Sequence, residues 1–101
     1  MRVIERRIQR IRAGMQDRVM DLEKRFAEAE APYGVPTKRH LLCIGGPYDL
    51  QTIIWEREWA SLADLEAAVE KTYSDPVFKP LMEEAGTVFE SSRNELFTYW
   101  G

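Results

Sequence analysis

Ile53-Ile54-Trp55-Glu56-Arg57-Glu58-Trp59-Ala60-Ser61-Leu62-Ala63-Asp64-Leu65-Glu66 reads as an aromatic, β-branched strand running directly into an amphipathic helix. Ser61, with Asp64 three residues on, resembles a capping box and starts the helix at Leu62. A second junction of the same kind lies at Ile8-Gln9-Arg10-Ile11-Arg12-Ala13-Gly14-Met15. Two strand-to-helix junctions in 101 residues predict a duplicated β-α-β architecture in one domain, residues 1–101.

Working outward from these junctions completes the plan. Val3 to Ile11 alternates, with Ile4 and Ile8 on one face and Val3, Arg7 and Ile11 on the other. Its arginines suit a central strand with charged partners alongside. Met15, Val19, Leu22, Phe26 and Ala29 recur at helical spacing and predict a helix from about 15 to 31, broken by Pro32-Tyr33-Gly34-Val35-Pro36. A second strand over 38–44 and a third over 51–59 flank the turn Gly45-Gly46-Pro47-Tyr48-Asp49 and should form an antiparallel hairpin. Ser74-Asp75-Pro76 interrupts the second helix. Asp75 can cap a new turn, Pro80 should keep that piece irregular, and Gly86 should end it. The last strand is predicted over 94–100, with Phe97 and Tyr99 on one face and Leu96, Thr98 and Trp100 on the other. The order β-α-β-β-α-β is the ferredoxin-like α+β plan: one four-stranded antiparallel sheet with both helices on one face.

Composition limits the rest. The apolar fraction of 45% and charged fraction of 31% are those of an ordinary globular domain. No apolar run approaches a membrane span, no signal core follows the N-terminus, and the lone Cys43 cannot form an internal disulfide, which together suit the cytoplasm. Residues 1–40 carry ten Lys or Arg against six Asp or Glu, whereas 41–101 carry four against eleven. Arg2, Arg6, Arg7, Arg10 and Arg12 on one strand and Glu56 and Glu58 on another are better read as cross-strand pairs than as a nucleic-acid surface. Apolar bulk on both sheet faces, with helices for only one, predicts an isologous homodimer packed sheet to sheet.

The same residues resemble a known family. Glu5-x-Arg7 followed by Ile11-Arg12-Ala13-Gly14 is similar to the first strand and helix-opening glycine of NIPSNAP-like proteins of the dimeric α/β-barrel superfamily. Trp55-x-x-x-Trp59-x-Ser61-Leu62, the Ser74-Asp75-Pro76-x-Phe78 break and Glu90-Ser91-Ser92 resemble their third strand, interrupted second helix and approach to the last strand. Gln9 departs from the pattern where an aromatic residue is usual, and Ala13 where proline is common. The resemblance implies a sheet-to-sheet dimer closing an α/β barrel. It also implies a superfamily of cofactor-free monooxygenases, haem-handling proteins and isomerases, among which fold alone does not choose.

Few residues carry chemistry. His40 is the single histidine and the candidate catalytic base or haem ligand, although a strand-edge histidine is more often structural. Arg7, Trp55, Trp59, Tyr73 and Tyr99 are the candidate ligand-binding set, with Arg7 or Arg57 the group for a carboxylate or enolate. The bland reading makes the aromatics core and the arginines part of a salt-bridge network with Glu5, Glu56 and Glu58. Cys43 and His40 fall on opposite strand faces, and Gly45-Gly46-Pro47 lacks the lysine and helix of a phosphate loop. Neither metal nor cofactor is expected. The reading is a NIPSNAP-like homodimer that binds an apolar or aromatic small molecule or a partner. The alternatives are a cofactor-independent monooxygenase of the antibiotic-biosynthesis type, acting on a polycyclic or quinol-like substrate, and a haem-binding protein.

Overall fold

A computed structural model describes residues 1–101. Its four strands form one antiparallel sheet in the order β2-β3-β1-β4, built from β1 (Val3–Ile11), β2 (Arg39–Leu42), β3 (Thr52–Trp59) and β4 (Phe89–Thr98). Helices α1 (Gln16–Glu30), α2 (Leu62–Ser74) and α3 (Phe78–Val88) complete the ferredoxin-like plan. The predicted β2–β3 hairpin is present, with His40 opposite Trp55 and Leu42 opposite Ile53.

Strong local signals set the boundaries. Gly14, at φ +83°, makes the turn from β1 into α1 in a conformation that favours glycine. The Ser61 hydroxyl accepts the Asp64 backbone N–H at 3.1 Å and caps α2 at Leu62, as the sequence predicts. Asp75 accepts the Val77 N–H at 2.9 Å where the second helix is interrupted.

Three boundaries differ from the expectation. Helix α3 is continuous from Phe78 to Val88. Pro80 lies in its first turn, where the missing N–H has no intrahelical partner to lose. Gly86 lies inside the helix, with φ in the ordinary negative range, so it ends nothing. Strand β4 begins at Phe89, five residues before the predicted start. Glu90-Ser91-Ser92-Arg93-Asn94 gives no apolar alternation because both sides of that stretch are polar, and its pairing with β1 makes it a strand. Strand β2 is shorter than predicted, because the chain has left the sheet by Cys43.

Register assigns the faces. Val3, Glu5, Arg7, Gln9 and Ile11 of β1 share the helix-covered face with Ile53, Trp55, Arg57 and Trp59 of β3. Ile4, Arg6, Ile8 and Arg10 lie on the open face with Ile54, Glu56 and Glu58. The apolar core under the helices falls into two clusters. One gathers Ile11, Val19, Leu22, Phe78, Val88 and Phe89 at the end of β1 near α3, and the other holds Val3, Trp59, Leu65 and Ala68 at the opposite end. The polar middle of the covered face lies between them.

Candidate functional site

The unfilled space lies over that polar middle. A cavity of about 730 Å³ opens between the covered sheet face and the helices. Glu5, Arg7 and Gln9 of β1, Trp55 and Arg57 of β3, and Ser92 and Asn94 of β4 line its floor. Apolar side chains from all three helices line its walls, among them Phe26, Leu65, Val69, Phe78 and Met82. The alternation of β1 creates this arrangement. The positions that meet helix side chains at its two ends are apolar, and the three between them are polar.

Trp55 is 3% exposed and surrounded by cations. The Lys38 ammonium lies 4.5 Å from its ring centroid, the Arg57 guanidinium 4.7 Å and the Arg7 guanidinium 5.5 Å. Cation–π attraction at such distances, in a partly desolvated site, fixes the indole plane. Two of these cations are neutralised by carboxylates. Arg57 donates to Glu5 at 3.0 Å and to Glu30 at 3.1 Å, and Lys38 lies 2.9 Å from Glu23. Arg7 has no carboxylate partner and reaches only the Asn94 side-chain oxygen, at 3.4 Å. Next to it, Gln9 is 6% exposed; its Nε2 lies 3.5 Å from Ser92 Oγ, and its Oε1 meets no partner in the protein.

The sequence candidates separate. Arg7, Trp55 and Tyr73 line the cavity, with Tyr73 exposed at its mouth. Trp59 lies outside it, buried in the second apolar cluster with its Nε1 donating to Glu5 at 3.0 Å. Tyr99 lies on the open side, its hydroxyl donating to Glu58 at 2.8 Å. That hydrogen bond raises the Tyr99 phenol above its usual range, and it holds the Glu58 carboxyl below its own, aided by Arg2. His40 is exposed at the β2 edge with Nε2 3.3 Å from Glu23, and it is not part of the cavity wall. Haem ligation by His40 inside the cavity therefore does not fit this placement. No group of three or more His, Cys, Asp or Glu is placed to hold a metal ion.

Sequence reasoning missed Gln9, Lys38, Ser92 and Asn94 as lining residues. Gln9 carried a signal, being a polar residue on the helix-covered side of a central strand. Ser92 and Asn94 carried none, because the stretch holding them did not read as a strand.

The open face is ordered by charge. Arg6 contacts Glu56 at 2.6 Å, Arg39 contacts Glu56 at 3.2 Å, Arg2 contacts Glu58 at 3.0 Å and Arg93 contacts Glu95 at 3.3 Å. Burial opposes ionisation of Glu56, but the hydrogen bonds from Arg6 and Arg39 outweigh it and hold its carboxyl below the usual range. Between these pairs, Leu41, Ile54 and Ile8 occupy adjacent register positions and form an apolar stripe across three strands.

No protein-family model matches the chain, and no curated protein matches it. Solved structures do. A NIPSNAP family protein from Agrobacterium tumefaciens strain C58, 26% identical, superposes with a TM-score of 0.79 over 98% of this chain and 86% of its own. A NIPSNAP domain protein from Burkholderia xenovorans, 15% identical, gives a TM-score of 0.80 over 97% of this chain and 94% of its own. SnoaB, a cofactor-independent oxygenase from Streptomyces nogalater, is 15% identical with a TM-score of 0.62 over 97% and 92%. The chain is thus NIPSNAP-like, as its strand and helix-break motifs imply, on a ferredoxin-like fold shared with an oxygenase. No helix is long and apolar enough to cross a membrane.

Proposed function

We propose that this chain is a small cytoplasmic homodimer that binds an apolar or aromatic small molecule in the cavity between sheet and helices. The observation that carries the reading is the cavity itself. At about 730 Å³ it is the size of a small-molecule site, with apolar helix side chains set over a floor of polar and charged groups. Trp55, buried beneath Lys38 and Arg57, anchors their cationic ends at the floor of the cavity. The homodimer is supported by the open face, where the Leu41–Ile54–Ile8 stripe has no helix over it. Leu41 and Phe97 are both exposed there. A second copy would cover that stripe across a two-fold axis, and the cavity, on the other side of the sheet, would stay free.

The oxygenase alternative needs a proton acceptor against the bound ring. His40 does not supply one, because it lies at the sheet edge outside the cavity wall. The carboxylates that line the cavity are all paired: Glu5 and Glu30 with Arg57, Glu23 with Lys38 and Glu90 with Arg10.

Native mass spectrometry of freshly purified protein tests both parts. The expected species is a dimer, with a small molecule released on denaturation or taken up from a panel of fused-ring compounds. A monomer overturns the homodimer. A protein that arrives empty and takes up nothing from the panel overturns the binding reading.

A further inference from the structure

We infer that the ligand of this cavity is an acid: an apolar or aromatic molecule whose carboxylate meets Arg7 and whose second polar group, a hydroxyl or similar donor, meets Gln9. This rests on the cavity being a binding site and adds the chemistry of what it takes.

Four cationic side chains line the cavity, and three have their charge or hydrogen bonds largely answered. Arg57 lies between Glu5 and Glu30, Lys38 is against Glu23, and Arg12, exposed at the rim, donates to the Gly86 carbonyl at 3.3 Å. Of the lining carboxylates, Glu90 is occupied from the open face by Arg10 at 3.0 Å. Arg7 alone sits half-buried on the floor without a carboxylate, its contacts being the Trp55 ring at 5.5 Å and a long hydrogen bond to a neutral amide oxygen. A guanidinium has five donors in a planar fork that matches a carboxylate. One removed from water without an anion is costly, and a ligand carboxylate relieves that cost.

Gln9 is the second, independent observation. Its side chain is more than nine-tenths buried, lines the cavity and has an amide end with no partner in the protein. Either orientation of the amide leaves one end unpartnered, because Ser92 Oγ is the single contact. Buried amides are normally satisfied, and this oxygen is closed to solvent, so a ligand donor satisfies it once the amide turns toward the cavity that Gln9 lines. Arg7 and Gln9 are two residues apart on one strand face, about 7 Å between Cα atoms. That spacing suits a ring with a carboxylate on one side and a donor on another.

Isothermal calorimetry with three matched probes tests this: 6-hydroxy-2-naphthoate, 2-naphthoate and 6-hydroxy-2-naphthamide. The hydroxy acid should bind about ten- to hundredfold more tightly than the uncharged amide, the value of a charge-assisted hydrogen bond. In Arg7→Met that gap should close while the amide keeps its affinity, and Arg7→Lys should restore part of it. In Gln9→Met the preference for the hydroxy acid over 2-naphthoate should vanish. Equal binding of acid and amide to the unaltered protein overturns the acid inference and leaves the binding reading standing. No binding of any probe overturns both. The acid–amide comparison needs no variant, so it decides the matter even if Arg7→Met fails to fold, and an acid preference that survives in a folded Arg7→Met assigns the anion to another group and overturns the inference.

Discussion

The two faces of this sheet carry similar residues and put them to different use. On each, glutamates of β3 or β1 meet arginines of a neighbouring strand. Glu5 on the covered face accepts from Arg57 Nε at 3.0 Å and Trp59 Nε1 at 3.0 Å. Glu58 on the open face accepts from Arg2 Nε at 3.0 Å and the Tyr99 hydroxyl at 2.8 Å. Partner number and distance are nearly the same. The difference is water: the Glu5 side chain is 7% exposed and that of Glu58 28%. Charges on the covered face must be matched within the protein or by a ligand, whereas the open-face arginines that meet Glu56 and Glu58 keep their contact with solvent. An unmatched group therefore means little on the open face. On the covered face it points to function, and Arg7 and Gln9 are such groups.

The largest test of this contrast is a pair of substitutions. Glu5→Ala strands Arg57 with Glu30 alone and leaves the Trp59 N–H unpaired in the core, and should cost about 3 kcal/mol. Glu58→Ala removes just as many partners and should cost far less, because solvent takes over the exposed ends. Urea unfolding of both variants measures the difference. Equal losses would mean that burial does not set the value of these carboxylates, and the contrast between faces would fail.

The next effect is smaller and opposite in sign. Gln9→Met removes an amide whose Oε1 is unsatisfied and replaces it with an apolar chain of similar length. Stability should rise by about 1 kcal/mol, equivalent to a Tm increase of about 4–8 °C for a domain of this size. A gain in stability with a loss of ligand discrimination is what a site kept for function rather than folding should give. If Gln9→Met lowers Tm instead, the amide is structural and its loose end is incidental.

Much of this was legible in the sequence. The Ser61 cap, the Asp75-Pro76 break and the alternation of β1 each have a local physical cause, so the element order and the predicted faces of β1 could be read before any contact was known. The start of β4 could not. Ser91, Ser92 and Asn94 become strand through hydrogen bonds to β1, and nothing local in them favours a strand. The site was legible in part for the same reason. Arg7 and Trp55 stand opposite each other on paired strands, and both were candidates from residue type alone. That Arg57 has a second carboxylate beside Glu5 depends on Glu30, which reaches over from α1. No spacing in the sequence reveals that contact. Tyr99 and Trp59 were candidates on aromaticity, a property that core, cavity and surface positions share.

The smallest effect tests the open face against pH. Glu56 is held below the usual carboxyl range, burial raising its pKa while Arg6 and Arg39 lower it further. A carboxyl whose pKa is depressed on folding contributes stability that is fully present above its unfolded pKa, about 4.3. The contribution is lost as pH falls through the lower folded value. Between pH 7 and pH 3 the unaltered protein should therefore lose more stability than Glu56→Gln, which has no charge at this position to titrate. The excess should be about 0.5–1 kcal/mol, because Arg6 and Arg39 are both more than a third exposed and solvent screens them. Urea midpoints of the two proteins at the two pH values give the number. An excess well above this range would mean that Arg6 and Arg39 are shielded as Arg57 is, as they would be if a second copy of the chain covered the open face. No excess would mean that water has already taken over the charges there, and that only the covered face holds carboxylates whose protonation matters.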